Sequence, residues 1–263
     1  MDYDYIKLTI DKGIAILTLN RPEKLNSFNA PMHLDVRNAL AAIAADKSVR
    51  VLVLTGAGRA FCAGQDLSDR TVEPGGEGVD LGVSVEENWA PLVLALRALP
   101  MPVLCAVNGV AAGAGANIAL ACDIVLAAKS ASFVELFCKL GLIPDTGGTW
   151  ILPRLIGHAR ATGLAMLGER LDADTAEKWG MIWKSVADVS LMQQTMAMAE
   201  HFAVAPTKGL AFTKRAFQAS YTNTLPEQLK LEAEMMRELG YSHDYREGVD
   251  AFVNKRPALF KGE

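Results

Sequence analysis

"MPVLCAVNGVAAGAGANIALACDIVLAAKSASFVE", residues 101–135, decides how this chain is read. It opens on an apolar run, "MPVLCAVNG", crosses the small-residue segment "AAGAGANIALACD", and returns to strand-like sequence with "IVLAAKS" and "ASFVE". Apolar runs without alternation belong to strands covered on both faces, as in a parallel sheet. Upstream, "VRVLVLTG" (49–56) is a strand of the same kind. Earlier still, "YIKLTID" and "IAILTLN" flank the turn "KG" and predict a hairpin. Between these strands lies "APMHLDVRNALAAIAAD", where Val36, Leu40 and Ile43 fall on one helical face. Strands alternating with helices predict an α/β fold with right-handed crossovers and a mostly parallel sheet.

Downstream of about Leu152 the pattern turns helical. "LDADTAEKWG" offers Asp172 as an N-cap and Gly180 as a stop. "TLPEQLKLEAEMMRELG" begins with Thr224 and Glu227 at capping-box spacing, and its Leu229, Ala233 and Met236 share a face. The expected division is a core over 1–195 and a helical C-terminal region over 196–263. "SDRTVEPGGEGVDLG", 68–82, reads as a mobile loop, a candidate lid.

Composition narrows the function. The net charge of −4 argues against nucleic acid or an anionic membrane surface as the main partner. The four cysteines are scattered without a CxxC pair, as expected of reduced thiols in a cytoplasmic protein. No apolar run approaches the ~20 residues of a membrane span, and no signal-peptide pattern opens the chain. The histidines lack metal-site spacing, so no metal is expected.

Two glycine-rich stretches follow strands, "TGAGRAFCAGQD" and "NGVAAGAGAN". Neither is a dinucleotide loop, since Phe61 and Ile118 occupy the third glycine position of GxGxxG. Small residues before a helix can leave backbone N–H groups free to form an oxyanion hole. They can equally serve only to let helix and strand pack closely. A third stretch, "GLIPDTGGTW" (141–150), places Asp145 alone among uncharged neighbours. Asp is a common turn or N-cap residue. Combined with a pair of backbone donors, though, a carboxylate is what enolate chemistry requires.

Together "RPEKLNSF", "GRAFCAGQDL", "AVNGVAAGAGANIALACDIVLAA" and "LGLIPDTGGTWILPRLIG" resemble the enoyl-CoA hydratase/isomerase (crotonase) superfamily, and the likeness runs to "YREGVDAFVNKRPALFKG". The resemblance implies a spiral of ββα units, C-terminal helices packed on neighbouring subunits in a homotrimer or dimer of trimers, and an acyl-CoA thioester as substrate with no separate cofactor. It assigns the oxyanion hole to the backbone N–H groups of Gln65 and Ala114. At the two positions where hydratases of the family carry glutamates, this chain has Asn117 and Phe137. Glu135 lies two residues before Phe137, where the turning backbone leaves its direction open, and its plainer reading is a structural or rim charge.

Asp145 is then the carboxylate left at a family catalytic position. One base moving a proton between two carbons suits an isomerase. Asn117, Phe137 and Ile143 are expected to line the acyl pocket. Desolvation by Ile143 and Trp150 is expected to raise the Asp145 pKa. Within the family the motifs are most similar to members that convert the ring epoxide of phenylacetyl-CoA to its oxepin thioester; a cis-3 to trans-2 enoyl shift is the related possibility. Arg21, Lys24, Lys255 and Arg256 are candidate contacts for coenzyme A, though each is equally read as a surface charge. Three rivals remain: an enoyl-CoA hydratase with relocated carboxylates, a 4-chlorobenzoyl-CoA-type dehalogenase using Asp145 as nucleophile, and a non-enzymatic acyl-CoA-binding subunit.

Overall fold

A computed structural model describes residues 3–70 and 78–263. The opening hairpin pairs β1 (Ile6–Asp11) with β2 (Ile14–Leu19), and its turn holds Lys12 and Gly13 at φ 48 and 78. After α1 (Ala30–Ala45), three strand pairs follow: β3 (Val51–Gly56) with β4 (Ala60–Cys62), β5 (Val103–Val107) with β6 (Val110–Ala112), and β7 (Ile124–Ala128) with β8 (Ser132–Val134). Helices follow each pair: α2 (Leu81–Ser84) and α3 (Ala90–Ala98), then α4 (Ala114–Ala121), then α5 (Gly148–Ile156) and α6 (His158–Leu167). The chain continues through β9 (Arg170–Asp172), α7 (Ala173–Lys178) and β10 (Lys184–Val186). It ends in α8 (Leu191–Ala203), α9 (Thr207–Ala219), α10 (Leu225–Gly240) and α11 (His243–Val253).

The pairs do not build one sheet. The first strand of each enters a six-stranded sheet of order β1-β2-β3-β5-β7-β10, the second a four-stranded sheet of order β4-β6-β8-β9. Among the described residues only β1/β2 and β8/β9 are antiparallel. Each ββα turn of the spiral thus lays one strand in each sheet. The run "MPVLCAVNG" holds β5; the chain then bends at Asn108 and Gly109 and changes sheet into β6, a short strand that the small-residue segment does not announce. A Cβ on Gly109 would come within 2.2 Å of the Arg59 carbonyl, so the bend needs a glycine.

Burial explains the unbroken apolar runs. One face of the large sheet meets the main core, where α1 delivers Val36, Leu40 and Ile43. On the other face Val51, Val53 and Leu104 pack under Ala199 of α8, so β3 and β5 are covered on both sides. The expected division at 195/196 falls inside α8. Both predicted caps are present: Asp172 accepts from the Thr175 amide at 2.8 Å, and Thr224 with Glu227 forms the capping box. The face of Leu229 and Met236 is another matter, for these residues are 54% and 66% exposed, while Met235 is buried. Part of the expected lid, residues 71–77, lies outside the described residues. Among the described residues no helix is long and apolar enough to cross a membrane.

Candidate active site

Gln65 follows β4 and forms a parallel bridge with Phe28. Phe28 donates to the Gly64 carbonyl and accepts from the Asp66 amide, both at 2.8 Å. In that pattern the bonded groups belong to the residues flanking Gln65, so the N–H of Gln65 is turned away from residue 28. Next to it runs the second loop: a Cβ on Gly64 would lie 2.9 Å from the Ala112 carbonyl and 3.4 Å from the Ala114 nitrogen. Ala114 is the first residue of α4, after Gly113 at φ 53. The first intrahelical bond runs from the Asn117 amide to the Gly113 carbonyl at 3.2 Å, which leaves the amides of 114–116 without acceptors inside the helix. Two backbone donors therefore sit on adjoining loops, one at the positive end of a helix.

Arg21 braces this arrangement from behind. It is 8% exposed, its Nη2 pairs with Asp66 at 3.0 Å and its Nη1 donates to the Ser27 carbonyl. Asp66 is held below the usual carboxylate range by the Ser68 hydroxyl first, with the Ser68 amide and Arg21 adding to it against burial. Asn26 donates to the carbonyls of Ala57, Ala60 and Phe61. The "RPEKLNSF" segment thus clamps the loop that carries Gln65. The Arg21 guanidinium points inward to do so.

Asp145 lies in the turn before α5. Thr146 and Gly147 take φ 54 and 81, and the Gly148 amide closes the turn on the Asp145 carbonyl at 2.8 Å. The Thr146 hydroxyl donates to Asp145 Oδ1 at 2.7 Å. Asn117, fully buried on α4, donates from Nδ2 to the same carbonyl at 3.0 Å. One amide therefore ties the Asp145 turn to the helix whose first residue is Ala114. Phe137 is buried beside this helix start, its ring 3.6 Å from where a Cβ on Gly113 would stand.

Two expectations change here. Ile143 is 77% exposed, and Trp150 stacks on Arg154, 4.1 Å from its ring centre, with Tyr221 edge-on at 4.9 Å. Trp150 is therefore engaged by an arginine–tyrosine cluster and Ile143 by solvent, so this pair does not make an apolar shell for Asp145. Glu135, in contrast, is no rim charge: it is 2% exposed, with Asn117 Nδ2 3.5 Å from Oε2. Burial pushes its pKa up to about 8, the nearby charge of Asp145 adding to the effect against the Asn117 hydrogen bond. Sequence reasoning could not find this because Glu135 follows the last residue of β8, where strand periodicity ends.

Among the other candidates, Lys24 is exposed near the clamp. Lys255 and Arg256 stand after α11, and Arg256 is held by Glu247 and Asp250 at 2.6 and 2.5 Å. The four cysteines are free; burial drives the Cys62 thiol to about 12, which leaves it inert. Among the described residues no group of three or more His, Cys, Asp or Glu side chains could hold a metal ion.

A family model described as enoyl-CoA hydratase/isomerase matches residues 9–263. The chain belongs to that family. Crotonase-family relatives match it end to end. It is 55% identical over 260 residues to the 1,2-epoxyphenylacetyl-CoA isomerase of Escherichia coli K12, with 99% of each chain covered. A Rhodobacter capsulatus protein named "Probable enoyl-CoA hydratase" is 48% identical, with both chains covered in full. The crystal structure of an enoyl-CoA hydratase from Bacillus anthracis superposes with a TM-score of 0.91 at 32% identity, covering 99% of this chain and 100% of that one. This crotonase is therefore an enzyme that acts on CoA thioesters by isomerase or hydratase chemistry.

Proposed function

We propose that this crotonase is an acyl-CoA isomerase in which Asp145 is the acid/base and the N–H groups of Gln65 and Ala114 form the oxyanion hole. The observation that carries the reading is the Asn117 amide, which fastens the Asp145 turn to the helix that begins at Ala114. The thioester carbonyl accepts from the two amides, which lowers the energy of the enolate-like state; one such donor is worth roughly 2.7–4 kcal/mol elsewhere. Asp145 then removes a proton from the acyl chain and returns it two carbons away. Phe137 and Asn117 take the places where hydratases keep glutamates, which leaves no paired carboxylates there to hold and activate water.

The likeness to the Escherichia coli isomerase supports the ring epoxide of phenylacetyl-CoA as substrate, with oxepin-CoA as product. A cis-3 to trans-2 enoyl shift uses the same base. Lys24 is an exposed candidate phosphate contact, and Lys255 with Arg256, exposed as well, would reach the ligand from a neighbouring subunit of a homotrimer or a dimer of trimers in the cytoplasm. A hydratase reading is favoured by one observation, the second carboxyl of Glu135 beside Asp145.

A thioester panel tests the reading. Aryl-epoxide and cis-3-enoyl thioesters are expected to be isomerised, and Asp145→Asn is expected to lower turnover by roughly 10²-fold or more. Full turnover in that variant, rapid hydration of crotonyl-CoA, or chloride release from 4-chlorobenzoyl-CoA would each overturn it.

A further inference from the structure

Glu135 is the least exposed acidic residue among the described residues, yet the chemistry above gives it nothing to do. It sits where the chain leaves β8, with α4 on one side and the Asp145 turn on the other. The charges on the packed elements do not compensate it. Arg170, on β9, pairs with the neighbouring Val134 but is exposed. Lys139, on the turn 136–140, is exposed and its stem runs toward Gly168. Cys138 reaches the backbone carbonyl of Glu135. The charge that acts on the carboxyl is that of Asp145, and it is of like sign. Burial, with the like charge of Asp145 adding to it, thus favours the protonated form of Glu135.

A protonated carboxyl gains a donor. The amide it meets carries an acceptor that lacks one: among the described residues, Asn117 Oδ1 is buried with no hydrogen-bond partner. The other end of that amide, Nδ2, is committed to the Asp145 carbonyl at 3.0 Å and lies 3.5 Å from Glu135 Oε2. Gly148 closes over the amide so tightly that a Cβ there would come within 2.8 Å of Oδ1, which leaves little room for another donor from that side. We propose that Glu135, as the neutral acid, is a positioning residue that completes the hydrogen bonding of Asn117 and thereby fixes the turn carrying Asp145, and that loss of its proton sets the alkaline limit of activity. The proposal rests on Asp145 being the acid/base.

Glu135→Gln mimics the neutral acid and Glu135→Ala removes the donor. In the wild type, kcat/KM for the isomerised thioester is expected to fall through an alkaline limb centred at about pH 8. Glu135→Gln should keep activity within about threefold at pH 7 and lose that limb, while Glu135→Ala, folded by circular dichroism, should lose roughly tenfold or more. Infrared spectra of the free protein add a readout that needs no substrate. A protonated-carboxyl band should titrate away near pH 8 in the wild type, be missing in Glu135→Gln, and titrate lower in Asp145→Asn, where the neighbouring charge is gone. A limb that persists in Glu135→Gln, equal losses in the Gln and Ala variants, or no such band would overturn the proposal. Full turnover in Asp145→Asn defeats the acid/base reading instead, and leaves the band to report on Glu135 alone.

Discussion

Asp145 and Glu135 are chemically alike and sit in one cluster, yet burial gives them different work. Asp145 is half-buried and served by the Thr146 hydroxyl, whereas Glu135 is buried beside Asn117. The pKa of Glu135 rises from the ordinary 4.5 to about 8, so the folded chain binds one more proton than the unfolded chain between those values. Its contribution to stability is whole below about pH 4.5 and is lost as pH rises toward 8, by roughly 5 kcal/mol at most, since one pKa unit is about 1.4 kcal/mol. Glu135→Gln should abolish that slope. Urea unfolding at acid and alkaline pH checks it: the variant should gain on the wild type above about pH 8 and lose the advantage in acid. Asp145 was legible in the sequence because a charge in an apolar stretch stands out. Glu135 was not, because the turn after β8 decides where it points.

At the scale of elements, the site depends on how closely a loop and a helix start approach each other. A Cβ on Gly115 would come within 2.2 Å of the Cys62 carbonyl, so the two donor loops touch backbone to backbone. Close packing at these glycines sets the spacing of the two amides that the proposed oxyanion hole would use. Gly115→Ala must push α4 away from β4, and with it Ala114 from Gln65. Turnover is expected to fall roughly 10–100-fold, as for a misplaced catalytic group. Steady-state kinetics and thermal unfolding together check this, and wild-type turnover in the folded variant would show that the spacing is not needed. Motifs marked these loops in advance, since glycine patterns are local; that one rests on the other is a contact between residues about fifty apart.

Across the whole molecule, the last three helices leave much apolar surface uncovered. Phe217 is 70% exposed, Leu229 54%, Met236 66% and Phe252 86%. Exposed apolar area of this kind marks association surfaces. Under the proposed trimer, sedimentation of the wild type should give a species larger than one chain, and Met236→Glu with Phe252→Glu should shift it toward monomer. A wild type that sediments as a monomer would remove the subunit reading. The longer strands of the large sheet, helix α1, the caps at Asp172 and Thr224, the two small-residue loops and the lone carboxylate of the 141–150 turn can be read along the chain, because periodicity, capping and glycine are properties of neighbours in sequence. Only the assembled fold shows the paired strands parting into two sheets, Arg21 turning inward to Asp66, Trp150 meeting Arg154, and Glu135 buried beside Asn117. Each of these depends on which distant residues meet, and burial and the pairing of charge exist only once they have met.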